Sequence, residues 1–325
     1  MNVCMVGYGM MGTWHSESLR KQDCVLHTLV GPDTQKAEAF ALKYGYRHWH
    51  VDYKKAFNDP QIDVVIIAGP SQSHAEMALA ALHYGKHVLV EIPLALTLED
   101  CEAIDATAAR LGLTVGVVHP MRFRKKHIAL CERLRSGEEK LLQVHSRLYL
   151  HRRENTGSTG LKRSWTDNLL WHHGAHLIDV ALWLVGAGDT AEAEKKLAGF
   201  KAVLPDADET TGIPMEFSLL AETCDHKALM CSGSYNSQER IFDIRVLTDK
   251  ANYHLDILSG TLSVNGDIQI IESEERNNAL VSEDFISSLK EGREPKVSAK
   301  SVMPAMRLIY TINLKMHFSA SGSCH

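Results

Sequence analysis

Val3-Cys4-Met5-Val6-Gly7-Tyr8-Gly9-Met10-Met11-Gly12 opens the chain with an apolar run that passes directly into Gly-x-Gly-x-x-Gly. The context gives the spacing a mechanical meaning. A strand must turn sharply into a helix at the first glycine, a phosphate can approach the backbone at the second, and helix and strand pack closely at the third. Backbone N–H groups at the helix start, around Met10 and Met11, then face an anion. Gly7, Gly9, Met10, Met11 and Gly12 are therefore expected to hold the pyrophosphate of a dinucleotide.

After this opening, short β-branched runs alternate with helical segments. Val3 to Val6, Val25 to Val30, Val64 to Ala68, Val88 to Glu91 and Thr114 to Val118 read as strands, and this rhythm predicts a parallel, doubly wound sheet. Ser73 with Glu76 reads as a capping box before a helix ending at Gly85, and Thr97 with Asp100 repeats the pattern before Gly112. The second strand runs into Gly31, Pro32 and Asp33. Gly31 stands where a ribose-binding carboxylate is usual, no arginine adjoins it, and Asp33 serves equally as helix N-cap or ribose ligand. NAD and NADP both stay open. Glu91 and Pro93, at the carboxyl end of a strand, are expected beside the nicotinamide.

The texture changes near residue 120. A basic helical segment, Phe123 to Arg135, precedes a strand-like run at Val144 to Leu150 and an arginine-rich loop. Phe242, Ile244 and Val246 alternate with polar neighbours, as do Tyr253, Leu255 and Ile257, and Asn265-Gly266 reads as a hairpin turn. The last segment, Ser298 to Phe318, reads as a helix that tolerates Pro304 only in its first turn. The expected organisation is thus an α/β Rossmann domain over 1–120 and an α+β domain over 121–325 with a mostly antiparallel open sheet. The second domain would bind substrate and oligomerise, with room for its C-terminal helix to pack back on the first.

With 325 residues, 45% hydrophobic and 23% charged, and a net charge of -5, the chain lacks the polybasic footprint of a nucleic-acid binder. No apolar stretch has membrane-spanning length, and the apolar start lacks a basic leader, so a cytoplasmic enzyme is expected. Seven cysteines without a Cys-x-x-Cys spacing read as mostly buried free thiols. An open antiparallel sheet leaves a face to be covered, which predicts a homodimer or higher homo-oligomer.

Chemistry concentrates in residues 163–179. Helical from Leu169, this stretch would align His172, His176 and Asp179. A histidine titrates near neutrality and suits proton abstraction, but clustered histidines also pack and cap helices. A shared metal is disfavoured, because no glutamate of the His-Glu-x-x-His type follows His172.

The Gly-x-Gly-x-x-Gly start, the strand ending in Glu91-Ile92-Pro93 and the histidine helix together resemble the Gfo/Idh/MocA oxidoreductases over the whole chain. Two departures stand out: Ile92 replaces the family's lysine, and His172 takes the place of its aspartate. Residues 87–95 and 163–176 resemble one branch in particular, dehydrogenases of carboxylated muconate semialdehydes. That branch carries Gly-Arg-Arg after its second strand where this chain has Gly31-Pro32-Asp33. The resemblance implies a dehydrogenase using NADP or NAD on a small carboxylated substrate, with His176 as base and His172 or His173 as substrate hydrogen bonder or alternate base. Carboxylates need cationic forks, and Arg122, Arg153 and Arg163 are expected at the substrate with Trp165, Thr166 and Asp179.

Overall fold

The computed structural model describes residues 1–156, 168–271, 277–314 and 318–319. The chain starts as β1 (Asn2–Val6), α1 (Met10–Leu19), β2 (Val25–Val30), α2 (Thr34–Tyr44), β3 (His48–His50), α3 (Tyr53–Phe57), β4 (Val64–Ile67), α4 (His74–His83), β5 (His87–Val90), α5 (Leu98–Leu111) and β6 (Val115–Val117). Their six strands form one parallel sheet in the order β3-β2-β1-β4-β5-β6. The order reverses between β1 and β4, where such a sheet opens its ligand crevice at the strands' carboxyl ends. Val3, Val64, Val65, Ile66, Ile67, Val88 and Leu89 are fully buried, which explains why the central strands read as unbroken apolar runs instead of alternating ones. β3 carries only three residues and two histidines, too short and polar a run to register as a strand in the sequence.

Helix ends follow their local chemistry. Asp33 caps α2 by accepting from Lys36 N at 3.0 Å, and Thr97 caps α5 by accepting from Asp100 N at 3.1 Å. Gly45 and Gly112 close the same helices in the left-handed conformation. The expected Ser73–Glu76 box does not form. A single 3₁₀ turn over Ser71–Ser73 holds Ser73 in a helical conformation, its hydroxyl donates to Pro70 O at 2.7 Å, and Glu76 accepts from Tyr53 instead.

The chain continues with α6 (Lys125–Ser136), β7 (Leu141–His151), a π-helical turn at Leu170–Gly174, α7 (Ala175–Val185), α8 (Thr190–Lys195), β8 (Leu197–Val203), β9 (Glu216–Thr223), β10 (Ala228–Ser234), β11 (Asn236–Thr248), β12 (Asn252–Asp256), β13 (Thr261–Val264) and β14 (Asp267–Ile271). Two more helices, α9 (Asn277–Glu291) and α10 (Ala299–Asn313), and a two-residue strand β15 (Phe318–Ser319) complete it. The second sheet runs β14-β13-β12-β11-β7-β10-β9-β8-β15, antiparallel except where β7 meets β10. Strict alternation of exposed and buried residues along β9 shows one face on a core and the other open. α7 packs on β7 and β10. Asn265 and Gly266 both take positive φ, the requirement of the tight hairpin between β13 and β14.

Two units result. One comprises Met1–Pro120 and, from much later in the chain, Glu275–Lys300; the other is built from Met121–Asn155, Asp167–Glu274 and the chain from Ser301 on. The second stretch is therefore not one continuous domain after residue 120. Within the first unit α9 packs on α1, and Phe285 lies so close to β6 that a Cβ on Gly116 would stand 2.6 Å from its ring. Within that unit α9 is the late helix that packs against the Rossmann domain.

α10 holds Pro304 in its second turn rather than its first. Proline removes the N–H that would reach the carbonyl four residues earlier and crowds that turn. The next carbonyl in that turn, of Ser301, accepts from side chains, Thr190 Oγ1 at 2.6 Å and Arg122 Nη2 at 3.0 Å. Among the cysteines, Cys4, Cys101, Cys131 and Cys231 are buried free thiols and Cys24 a half-buried one, while Cys224 is disulfide-bonded.

Candidate active site

In the first unit the glycine loop meets the steric demands of a dinucleotide cradle. Gly7 has φ +106°, and a Cβ there would lie 2.5 Å from Ala68 O; a Cβ on Gly12 would lie 2.2 Å from Gly7 O. Both contacts are with backbone, which cannot yield as a side chain can. At Gly9 a Cβ would meet nothing within 4 Å. The loop is thus tight against its own protein at the first and third glycines and open at the second, the side from which a pyrophosphate comes. No acidic residue stands in the first turn of α1 to oppose that anion. These residues fit a nicotinamide dinucleotide.

At the end of β2, Gly31 is covered by Tyr8: a Cβ on Gly31 would fall 2.1 Å from the tyrosine ring. Asp33 spends one oxygen capping α2, and its other is 3.9 Å from Lys36 Nζ. The N-cap reading of Asp33 is thereby realised.

Glu91, expected beside the nicotinamide, has its carboxylate engaged by the protein itself. It is buried, and its Oε1 lies 2.8 Å from His15 Nε2, while His15 Nδ1 lies 2.5 Å from Ser282 Oγ. This interior chain ties β5, α1 and α9 together, because a buried carboxylate needs a donor close by. Ile92–Pro93 is a cis peptide, and the Pro93 carbonyl accepts from His74 Nδ1 at 2.7 Å. Nothing in the local sequence around His15, His74 or Ser282 marked these ties.

In the second unit the π-helical turn places the histidines. Leu170 and Trp171 are buried while His172, His173 and His176 are half-buried. Asn168 Oδ1 accepts from Trp171 N at 3.0 Å, and Gly174 lets the turn approach Phe217, whose ring would be 3.2 Å from a Cβ there. π-turns recur at functional sites because they re-aim side chains out of the regular helical sequence. The rings of His172 and His173 meet edge-on with centroids 4.4 Å apart. His173 Nδ1 lies 2.7 Å from the hydroxyl of the fully buried Tyr235, between β10 and β11. Behind it, Arg152 Nη1 donates to the same hydroxyl at 3.2 Å, and the guanidinium stands over the ring at 5.4 Å. Desolvation of the ring, reinforced by His172, His176, Arg152 and Arg240, holds the His173 pKa well below 6.5 and favours its neutral form. Sequence reading missed Tyr235, which carries no motif and is joined to His173 only through the sheet.

Arg122 and Asp179 are not substrate-facing. Both are buried, and they pair with each other through two parallel hydrogen bonds, one at 2.8 Å, while Arg122 also donates to Ser301 Oγ at 3.2 Å. A guanidinium so engaged in the interior has a structural task, and the Asp179 carboxylate is taken up by it. Arg153 remains partly exposed, donating to Asp208 at 2.9 Å and Asn236 at 2.7 Å. Arg163, Trp165 and Thr166 lie outside the described residues. Among the described residues no cluster of three histidine, cysteine or acidic side chains could hold a metal, and no helix is long and apolar enough to cross a membrane.

Comparison with known proteins finds relatives for both parts of the chain. Residues 1–119 match the model of the Gfo/Idh/MocA oxidoreductase family with an NAD-binding Rossmann fold, and residues 125–267 that of bacterial oxidoreductase C-terminal domains. The chain is 29% identical to 4-carboxy-2-hydroxymuconate-6-semialdehyde dehydrogenase of Sphingobium sp. strain SYK-6, covering 97% of this chain and 99% of that one. It is 31% identical to scyllo-inositol 2-dehydrogenase (NAD(+)) of Bacillus subtilis over 41% of this chain and 40% of that one. In fold it is similar to levoglucosan dehydrogenase in complex with NADH, with a TM-score of 0.82, 17% identity and coverage of 97% and 96%. An NAD binding oxidoreductase from Klebsiella pneumoniae gives 0.81 at 19% identity, covering 97% of each chain.

Proposed function

The chain belongs to the Gfo/Idh/MocA oxidoreductases, and from that premise we propose that it oxidises the cyclic hemiacetal of 4-carboxy-2-hydroxymuconate-6-semialdehyde to the lactone 2-pyrone-4,6-dicarboxylate. The observation that carries the reading is the histidine turn. A protein that only bound the dinucleotide would have no use for two histidines on a π-turn and a third at the start of α7, with a buried tyrosine and an arginine behind them. The likeness to the Sphingobium enzyme, which spans both units, supports the substrate.

The chemistry follows from the groups present. The hemiacetal carbon must lose a hydride while its hydroxyl loses a proton, leaving a carbonyl in the ring. Bound NAD or NADP supplies the hydride acceptor, held at Gly7, Gly9 and Gly12 and the start of α1. His176 takes the proton, a step suited to an imidazole base. His172 and His173 orient the substrate, and Arg153 and Arg163 with Trp165 and Thr166 receive its carboxylates and shape its pocket. The open face of the nine-stranded sheet, which exposes Val203 and Leu220, is covered by a second copy in a cytoplasmic homodimer or larger homo-oligomer.

The test is nicotinamide reduction, followed by near-ultraviolet absorbance, with freshly generated semialdehyde and either dinucleotide, comparing wild type with His176→Asn. The expected outcome is turnover by the wild type and a loss on the order of 100-fold or more in the variant, with dinucleotide affinity unchanged. Equal turnover removes His176 from the role of base. Absent turnover with intact dinucleotide binding transfers the reading to another carboxylated substrate, or to a dinucleotide-binding sensor.

A further inference from the structure

We propose that Tyr235 is a positioning residue that fixes the tautomer of His173, making this histidine a hydrogen-bond donor to the substrate through Nε2 and not its base. The inference deepens the functional reading above and rests on it for the word substrate.

Proton direction decides the tautomer. Arg152 possesses only donors, so its contact with the Tyr235 oxygen at 3.2 Å has a single polarity: the guanidinium gives and the phenol oxygen receives. The guanidinium is itself held, since Nη2 donates to Asn155 Oδ1 at 2.8 Å and the Arg152 N–H donates to the Tyr235 carbonyl at 2.8 Å. With the phenol oxygen occupied as an acceptor, its proton is directed to the neighbour at 2.7 Å, His173 Nδ1. A neutral imidazole that accepts at Nδ1 carries its only proton on Nε2.

The surroundings keep the ring in that neutral form, because burial and the positive groups around it oppose a second proton. Tyr235 is itself fully buried and its N–H donates to Met215 O at 2.8 Å, so the residue is held in place by its backbone. The consequence is a division of labour on one turn. His173 offers a fixed N–H to a substrate oxygen, and proton abstraction is left to His176, with His172 as the alternative.

Two-bond ¹H–¹⁵N correlation spectra of ¹⁵N-histidine-labelled protein, with His173 assigned from a His173→Gln sample, report which ring nitrogen is protonated. The expected result at neutral pH is a neutral ring protonated at Nε2, changing to a mixture with the Nδ1-protonated form in Tyr235→Phe and in Arg152→Met. Turnover in Tyr235→Phe should fall roughly tenfold in kcat with dinucleotide affinity unchanged. A wild-type ring protonated at Nδ1, or doubly protonated, overturns the proposal without need of any variant. An Nε2 tautomer that persists in a folded Tyr235→Phe, judged by dinucleotide binding, overturns the role of Tyr235. If the tautomer behaves as expected while turnover is unchanged, the tautomer assignment stands, and the placing of the active site at these histidines fails.

Discussion

The glycine loop of the first unit and the histidine turn of the second are the two short stretches to which we assign the chemistry, and they are built on opposite principles. The loop works through its backbone: Gly7 and Gly12 are needed because main-chain atoms lie 2.5 and 2.2 Å from where their Cβ atoms would be. The turn works through side chains whose settings come from elsewhere, Tyr235 being 62 residues from His173. A backbone site is legible from spacing because the spacing is the site. A side-chain site shows only its outermost members.

The sharpest way to break the contrast is at the loop. Gly12→Ala forces a methyl against the Gly7 carbonyl, and the dinucleotide dissociation constant, read by fluorescence titration with NADH and NADPH, should rise on the order of 100-fold, about 2.8 kcal/mol. Gly9→Ala meets no protein atom, so it should leave thermal stability unchanged while still weakening the dinucleotide. Wild-type affinity in both would mean that the loop is not the cradle.

The second unit's supports give a different signature. Removing one member of the buried Arg122–Asp179 pair, as in Arg122→Met, should cost roughly 3–5 kcal/mol in urea unfolding, because an uncompensated charge remains in the interior. Arg122→Met combined with Asp179→Leu should recover much of that loss. Unchanged stability with a raised Michaelis constant would return Arg122 to the substrate.

A smaller effect separates buried histidines from reactive ones. His127 donates to the Met121 carbonyl at 2.8 Å and is held neutral by burial, with Arg124 and Lys126 adding repulsion, its pKa lowered from 6.5 to about 3. The unfolded chain takes up a proton near pH 6.5 that the folded one refuses. The stabilisation is therefore present above that pH and is lost as pH falls from 6.5 toward 3, by about 2 kcal/mol at pH 5. In His127→Asn the difference in unfolding free energy between pH 7 and pH 5 should shrink by about that amount; an unchanged difference would show that His127 is protonated in the fold.

The same contrast explains which readings held. Strands β1, β2, β4, β5 and β6, the caps at Asp33 and Thr97, and the Asn265-Gly266 hairpin all rest on interactions within a few residues, and all are seen. The capping box at Ser73 failed because a 3₁₀ turn supplied another partner for its hydroxyl. Arg122 and Asp179 had the residue types of a carboxylate fork, but composition cannot distinguish a fork that meets a ligand from one that meets its own protein. Glu91 was placed correctly at a strand end, and only the fold revealed that His15 takes its carboxylate inward.

What the sequence alone determined is the parallel sheet, the open antiparallel sheet and the dinucleotide loop, since each depends on periodicity or on room for backbone, both written residue by residue. The tertiary structure alone decided which charges are spent in the interior, that residues 275–300 return to the first unit, and that Tyr235 and Arg152 stand behind His173. Those outcomes depend on which distant side chains the packed sheets bring within 3 Å, and hydrogen bonding acts only at that range.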